Sequence, residues 1–393
     1  MPLIGTLAAD GTTGNRELGD VRQFTRPQSP LRSRVVYAAA HVVPRVAGDN
    51  VPGAPADIDW DATLAFRRHL WSWGLGVADA MDTAQRNMGL DPVAVRELIA
   101  RSAAEAASAG GALVVGVNTD HLKDEVVSLD EVVAAYLDQL EHAEKHGAGV
   151  VLMASRHLAR AATSAADYER VYREVLARAG SPVVLHWLGE AFDPQLAGYF
   201  GPELDVAGRI GVVARIITEN AAQVRGIKMS LLDAGHEISL RAQLPAGAAM
   251  FTGDDFHYAG LIAGDGVRHS DALLGAFAAL GPHASAAVQA LDAGDTDSYH
   301  RILDPTQALA RHVFEAPTFH YKTGIAFLAW LNGHQPAFTM VGGLHAARGL
   351  PHLSQLVELA GTVGALEDPE LAAHRWNRFL GLHGVAVPTV VGA

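Results

Sequence analysis

Lys228 is the residue from which the chemistry of this sequence can be approached. In Val224-Arg225-Gly226-Ile227-Lys228-Met229-Ser230 a short apolar run ends on that lysine, and the small polar Ser230 follows two positions later. If the run is a strand, the amine stands at its dry C-terminal end, where lost hydration disfavours the charged form. A neutral amine attacks a ketone or aldehyde and forms a Schiff base. A surface lysine at a strand end is the plainer alternative, and the ends of the other apolar runs bear on the choice. Those runs finish at His41, Asp82 with Thr83, Asn118 with Asp120, Ser155 with Arg156, His186, Asp254 with Asp255, and His269. Nearly every one can hydrogen-bond or move a proton. Singly they are weak pointers: Asp254 or Asp255 can cap a helix as readily as meet a ligand, and Asn118 or Ser155 can close a turn. Together they point to one rim.

Such a rim needs a scaffold that gathers strand ends. From Ser33 onward, short apolar runs alternate with longer amphipathic stretches, the pattern of repeated βα units. The runs are 35–40, 76–81, 112–117, 149–153, 182–185, 224–230 and 248–251, with an eighth, glycine-rich one at Gly264–Ser270. Asp91-Pro92 places an N-cap and a first-turn proline before one helix. Ser128 with Glu131 reads as a capping box for the next, which stops at His146-Gly147. The fold expected is an α/β (β/α)8 TIM barrel over residues 33–270, whose C-terminal rim does the chemistry. Residues 1–32, rich in Gly, Pro, Thr and Arg, read as an extension over the barrel bottom or a neighbouring subunit. Residues 271–393 read as an appended helical layer, whose Phe327, Leu328, Trp330 and Leu331 pack on the barrel or offer an interface.

Composition narrows the function. The 393 residues are 49% hydrophobic and 19% charged, which permits a large core. A net charge of −13 argues against nucleic acid and anionic membranes as partners. With no cysteine, thiol nucleophiles, thiolate metal sites and disulfides are excluded. The N-terminus lacks a signal pattern, and no run approaches the roughly 18 apolar residues of a membrane span. A cytoplasmic protein is expected.

Gly226-Ile227-Lys228, Gly253-Asp254-Asp255, Ala263-Gly264-Asp265-Gly266-Val267, Asp57-Ile58-Asp59-Trp60 and His320-Tyr321-Lys322-Thr323-Gly324 occur in an order and spacing that matter together. With them the sequence resembles the dihydrodipicolinate synthase and N-acetylneuraminate lyase superfamily, class I aldolases that work through a lysine Schiff base. The similarity runs from about Val35 to Leu359. It implies that Lys228 is the imine-forming residue and that the protein is a homo-oligomer. The sequence also departs from the pattern. The family's carboxylate-holding Gly-Thr-Thr-Gly-Glu after strand two is replaced by Asp82-Thr83-Ala84-Gln85-Arg86, and Gly11-Thr12-Thr13-Gly14 lies too early to take its place. His186 stands where the family has a proton-shuttling tyrosine, and Ser155-Arg156 replaces its paired tyrosines.

The reading that follows is a lyase, an aldolase or dehydratase, acting on a sugar-derived keto compound. Lys228 is its nucleophile and His186 its proton shuttle, since imidazole titrates near neutral pH. Asp82, Thr83, Asn118 and Asp255 would orient hydroxyls, with Ser230 and Gly253 as further substrate contacts. Arg86 or Arg156 could restore anion binding if a loop turns it inward. The small-molecule carbonyl substrate is the partner expected, and no cofactor or metal is assigned. One alternative is a metal-dependent barrel isomerase or hydrolase using Asp82, His186, Asp255 and His257 or His269. Another is a non-catalytic binding barrel.

Overall fold

The computed structural model describes residues 1–385. Eight parallel strands close into a barrel in chain order: Val36–Ala39, Gly76–Asp79, Leu113–Val117, Gly149–Leu152, Val183–Leu188, Val224–Ser230, Ala249–Thr252 and Asp271–Leu274. The eighth pairs back onto the first, Ala272 beside Val36, so the barrel has no free edge. Successive side chains of a strand face opposite ways. Tyr37, Ala39, Ala78, Val114, Val151, Val184, Phe251 and Leu273 accordingly fill the interior as one buried cluster. The alternate residues join the larger core beneath the surrounding helices.

The helices begin where their capping residues require. Asp91 accepts from the amides of Val93 and Ala94 ahead of Pro92–Ala109. Ser128 and Glu131 form the reciprocal capping box of Leu129–Lys145. Gly147, at φ +72°, reverses the chain after it. The helix Trp60–Ser72 is tied to the second strand by a fully buried pair, Arg67 Nη2 to Asp79 Oδ1 at 2.8 Å and Nε to Oδ2 at 3.0 Å. Arg67 also donates to the carbonyls of His41 and Thr63, and Ser102 donates to Asp79.

Two expectations need correction. The eighth strand is not Gly264–Ser270 but Asp271–Leu274, so the barrel extends past residue 270. Gly264 and Gly266 have φ of +81° and +84°, and the Asp265 carboxylate accepts from the amides of Val267 and Arg268. That is turn chemistry, and the strand starts only after it. The N-terminal segment contains a hairpin, Leu3–Leu7 with Thr13–Glu17, which docks on the C-terminal helices. Gly5 bonds Asn377 and Trp376, and the Leu7 amide bonds Ser354. Only its later part passes the barrel bottom, with Pro27 against Gly74. Gly11-Thr12-Thr13-Gly14 belongs to this hairpin.

The segment after the barrel is helical, as expected, and packs within the same chain: Phe327, Leu328, Trp330 and Leu331 of helix Tyr321–Leu331 are all buried. Among the described residues, no helix is long and apolar enough to cross a membrane.

Candidate active site

Register settles where the lysine points. Lys228 lies between His186 on the fifth strand and Phe251 on the seventh, and Phe251 belongs to the interior cluster. Residues opposite one another on paired strands share a face, so Lys228 and His186 face into the barrel. The inward positions one step nearer the mouth, Ser230 and Gly253, are small. A Cβ at Gly253 would fall 2.1 Å from Ser230 Oγ and 2.8 Å from Lys228 Cε. Gly253 is what leaves room for the lysine stem.

Lys228 is only 8% exposed, and among the described residues its amine makes no hydrogen bond or ion pair. Burial lowers the amine from its ordinary value, while Asp82 and Asp255 act the other way. Burial pushes the Asp255 carboxyl up to about 7, although the Ala276 amide donates to it at 2.9 Å. Asp254, its neighbour, closes the next turn, accepting from Phe256 and His257. Of this pair, Asp255 faces the lysine.

His186 is fully enclosed. Its Nε2 lies 3.2 Å from Ser230 Oγ, and its Nδ1 is buried without a partner among the described residues. Burial and the charge of Lys228 hold it well below the usual imidazole range. Asn118 is buried, its Oδ1 bonded to the Thr119 amide and its side-chain amide nitrogen uncommitted among the described residues. Asn118 and Asp82 line a narrow cleft of about 20 Å³ with Asn87, Arg156, Leu188 and Asp193. A larger cleft, about 650 Å³, opens by Pro27–Pro30 and Gly110–Ala112 at the other end of the barrel and presents no carboxylate, histidine or lysine.

The two arginines separate. Arg86 is spent, donating to Asp120, Gln139 and the carbonyls of Ala80 and Gly116. Burial would raise Asp120, but Arg86 and Gln139 outweigh it and hold it at about 2. Arg156 stands at the cleft, bonded through Nε to Asp193 at 2.6 Å. Other strand-end residues serve structure. His41 contacts Phe66 and Gln335 beside the helix Trp60–Ser72. His269 precedes the eighth strand, so it sits at the N-terminal end of the barrel, away from the rim.

Sequence reasoning gave no role to Tyr321 and Lys322, which the C-terminal layer brings to the mouth. The Tyr321 hydroxyl bonds Thr83 Oγ1 at 2.8 Å, and its ring stacks on Phe314 at 4.4 Å. Burial and then Asp82 raise this phenol well above its ordinary value. Lys322 is 3% exposed. Burial lowers it to about 8 against the pull of Asp82 and Asp193, with Arg156 adding to the lowering. The available signal was polar: two proton-bearing side chains open a helix that is otherwise apolar from Ile325 to Leu331.

Of the groups named for a metal alternative, Asp82, His186 and Asp255 surround Lys228, but His257 is held by Asp254 and His269 is at the other end of the barrel. Among the described residues, the clusters with ligand atoms within 4.8 Å of one another are His69–His334–Glu367 and His312–Glu315–His352. Neither includes a residue lining the cleft.

The sequence profile of a family described as "Protein of unknown function (DUF993)" matches residues 6–385. No curated protein matches. Among solved structures, the chain is similar to a prophage protein of the dihydrodipicolinic acid synthase family from E. coli K12, solved in complex with pyruvate. That match has TM-score 0.65 and 14% identity, and covers 84% of this chain and 98% of the other. It is also similar to dihydrodipicolinate synthase from Bacteroides thetaiotaomicron, at 0.63 and 15%, covering 85% and 100%. The enzyme from Aquifex aeolicus gives 0.60 and 12%, covering 90% and 98%. At these identities the likeness establishes the shared barrel fold.

Proposed function

The chain belongs to the family described as "Protein of unknown function (DUF993)", and from that starting point we propose that it is a class I lyase. It would form an imine between Lys228 and a sugar-derived keto compound and then cleave a carbon–carbon bond or expel water. One observation carries the reading: a lysine facing into the barrel, 8% exposed, whose amine has no hydrogen-bond partner among the described residues and feels the charges of Asp82 and Asp255. Desolvation favours its neutral, nucleophilic form.

The groups around the amine can balance each step. Lys228 nitrogen bonds to the carbonyl carbon, and the carbonyl oxygen takes a proton from Asp255, which is partly protonated near neutrality. The surplus proton on nitrogen passes to Asp82. Asp82 returns it to the new hydroxyl, which leaves as water, and a protonated imine remains. The imine nitrogen then draws electrons from the α-carbon. Asp255, now a carboxylate, takes the next proton: either the β-hydroxyl gives it up as the bond between the α- and β-carbons breaks, leaving an aldehyde and an enamine that Asp255 reprotonates, or the α-carbon gives it up and Asp255 passes it to the β-hydroxyl, which departs as water. Water then adds to the imine, the surplus proton returns to Asp255, and the carbonyl product and free amine separate. Tyr321 and Thr83, hydrogen-bonded at 2.8 Å, supply a hydroxyl pair that relays these protons. His186, expected from the sequence to shuttle protons, is held neutral by burial and by Lys228, so we assign it the support of Ser230 instead. Asn118 would hold substrate hydroxyls.

The test is chemical trapping. A panel of keto acids and sugar-derived ketones is incubated with the protein and borohydride, and peptides are sequenced by mass spectrometry. A reduced adduct on Lys228 is expected. Turnover with Lys228 unmodified, or an adduct only on Lys322, would refute the assignment.

A further inference from the structure

Lys322 is a buried cation with unspent donors. It reaches the mouth from the first turn of the helix Tyr321–Leu331, and its amine donates to the Phe319 carbonyl at 3.1 Å. Its ammonium also lies 4.7 Å from the centre of the Tyr321 ring, but two of its three N–H bonds have no hydrogen-bond partner among the described residues, and no carboxylate there comes within ion-pair distance. A ring face offsets only part of the cost of taking a charge out of water, so the position favours a ligand that brings the missing anion. Tyr321, its neighbour on the helix, bonds Thr83 next to Asp82, and the Tyr321 ring lies 5.8 Å from that of Phe192 next to Asp193, so this turn abuts the cleft that Asp82, Arg156 and Asp193 line.

Arg156 complements it. Its Nε is taken by Asp193, and Asp193 is further engaged by the Gln195 amide. Both terminal nitrogens of the guanidinium are uncommitted among the described residues, which leaves a planar edge suited to two parallel hydrogen bonds. Arg86 cannot take this part, because its donors are consumed by Asp120, Gln139 and two carbonyls.

We propose that Lys322 and the free edge of Arg156 form an anion subsite that holds a carboxylate at the end of the substrate remote from the reacting carbonyl. The carbonyl end of this proposal rests on the imine reading; the anion end does not. The substrate class is therefore a keto acid whose carboxylate lies several bonds from the ketone. One side of the subsite comes from the barrel and the other from the C-terminal layer, so both must be in place for it to exist.

Two probes differing in one group test it. Reductive trapping of wild-type protein is compared with 4-oxopentanoate, a ketone with a remote carboxylate, and with 5-hydroxypentan-2-one, its neutral counterpart. The anionic probe is expected to be trapped at roughly 10- to 100-fold lower concentration, the range of a charged hydrogen-bonded contact. In Lys322→Met and in Arg156→Gln that preference should fall towards one, while Arg156→Lys should recover part of it. Circular dichroism and urea unfolding confirm that each variant is folded. Equal trapping in wild type, or a preference that survives both substitutions, overturns the proposal. A second arm removes the carbonyl: calorimetric titration with glutarate should show binding lost in Lys322→Met but retained in Lys228→Met. If glutarate binds in this way while no imine is ever trapped, the subsite stands and the imine reading fails. If inorganic phosphate binds and glutarate does not, the assignment to a carboxylate is wrong.

Discussion

Gly253→Ala should disable the lysine while leaving the barrel folded. Gly253 has no left-handed φ, so alanine is conformationally acceptable there and the effect is purely one of space. The added methyl would lie 2.1 Å from Ser230 Oγ, 2.8 Å from Lys228 Cε and 2.8 Å from the Met229 carbonyl oxygen. A comfortable carbon contact is about 3.5–4.0 Å. The lysine stem must therefore move by roughly 1 Å, the Ser230 hydroxyl by more, and the backbone oxygen cannot rotate away. Overpacking of this size costs about 1–3 kcal/mol of stability, which urea denaturation reads. A displacement of about 1 Å at a reacting group costs on the order of 100-fold in rate. Imine trapping at Lys228, followed by mass spectrometry against time, should slow by about that factor. Ser230→Gly in the same background removes the shortest clash and leaves the contacts to Lys228 and Met229, so only partial recovery is expected. Trapping at the wild-type rate in Gly253→Ala would show that the lysine stem does not occupy this channel when it reacts.

Tyr321→Phe should leave trapping at Lys228 within a few-fold of wild type but lower turnover by about 100- to 10,000-fold, the usual span for a lost proton-transfer group; equal losses in both assays would make Tyr321 a packing residue. Lys228→Met should be more stable than wild type near neutrality. Between its lowered folded value and its ordinary 10.5, the unfolded chain binds a proton that the folded chain does not, so wild-type stability falls as pH drops from 10.5 and the gap to the variant closes as pH rises. Unfolding midpoints at pH 7 and pH 10 check the sign. Asp255→Asn should remove an opposite dependence: with the folded carboxyl at about 7 and an ordinary value of 3.8, wild type loses stability as pH rises through that window, and the variant should not. Asp79→Asn strands the buried Arg67 and should cost about 3–5 kcal/mol in urea unfolding; a loss below about 1 kcal/mol would mean that the pair is not desolvated.

The parts of the fold legible in the sequence were those that repeat. Seven strands and the helix caps at Asp91, Ser128 and Gly147 follow from local patterns that neighbouring elements do not override. The eighth strand was misplaced because its signal is split. Gly264-Asp265-Gly266 lies where glycine-rich strand residues were expected, yet it forms the preceding turn, and the paired residues Ala272–Leu274 resemble the start of a helix. That shift alone moved His269 from the top of the barrel to the bottom. The places of Lys228, Asp82 and Asp255 at the rim were legible because each lies close to the C-terminal end of its strand. Whether an arginine was free could not be found this way. Arg86 and Arg156 are equivalent in sequence, and only the partners that each meets in space distinguish them.

Tyr321 and Lys322 expose a different limit, and a physical division of labour follows from it. They lie more than 90 residues beyond Lys228 and on a helix, where strand-end reasoning has no purchase. Yet Tyr321 bonds Thr83 on the second βα loop, and Lys322 answers to charges on the second, fourth and fifth. The barrel alone supplies the amine and its two carboxylates. The C-terminal layer supplies a phenol and a cation to the same volume. Substitutions on the barrel strands should therefore change whether the imine forms, whereas substitutions in the first turn of Tyr321–Leu331 should change which carbonyl compound is accepted and how its protons move.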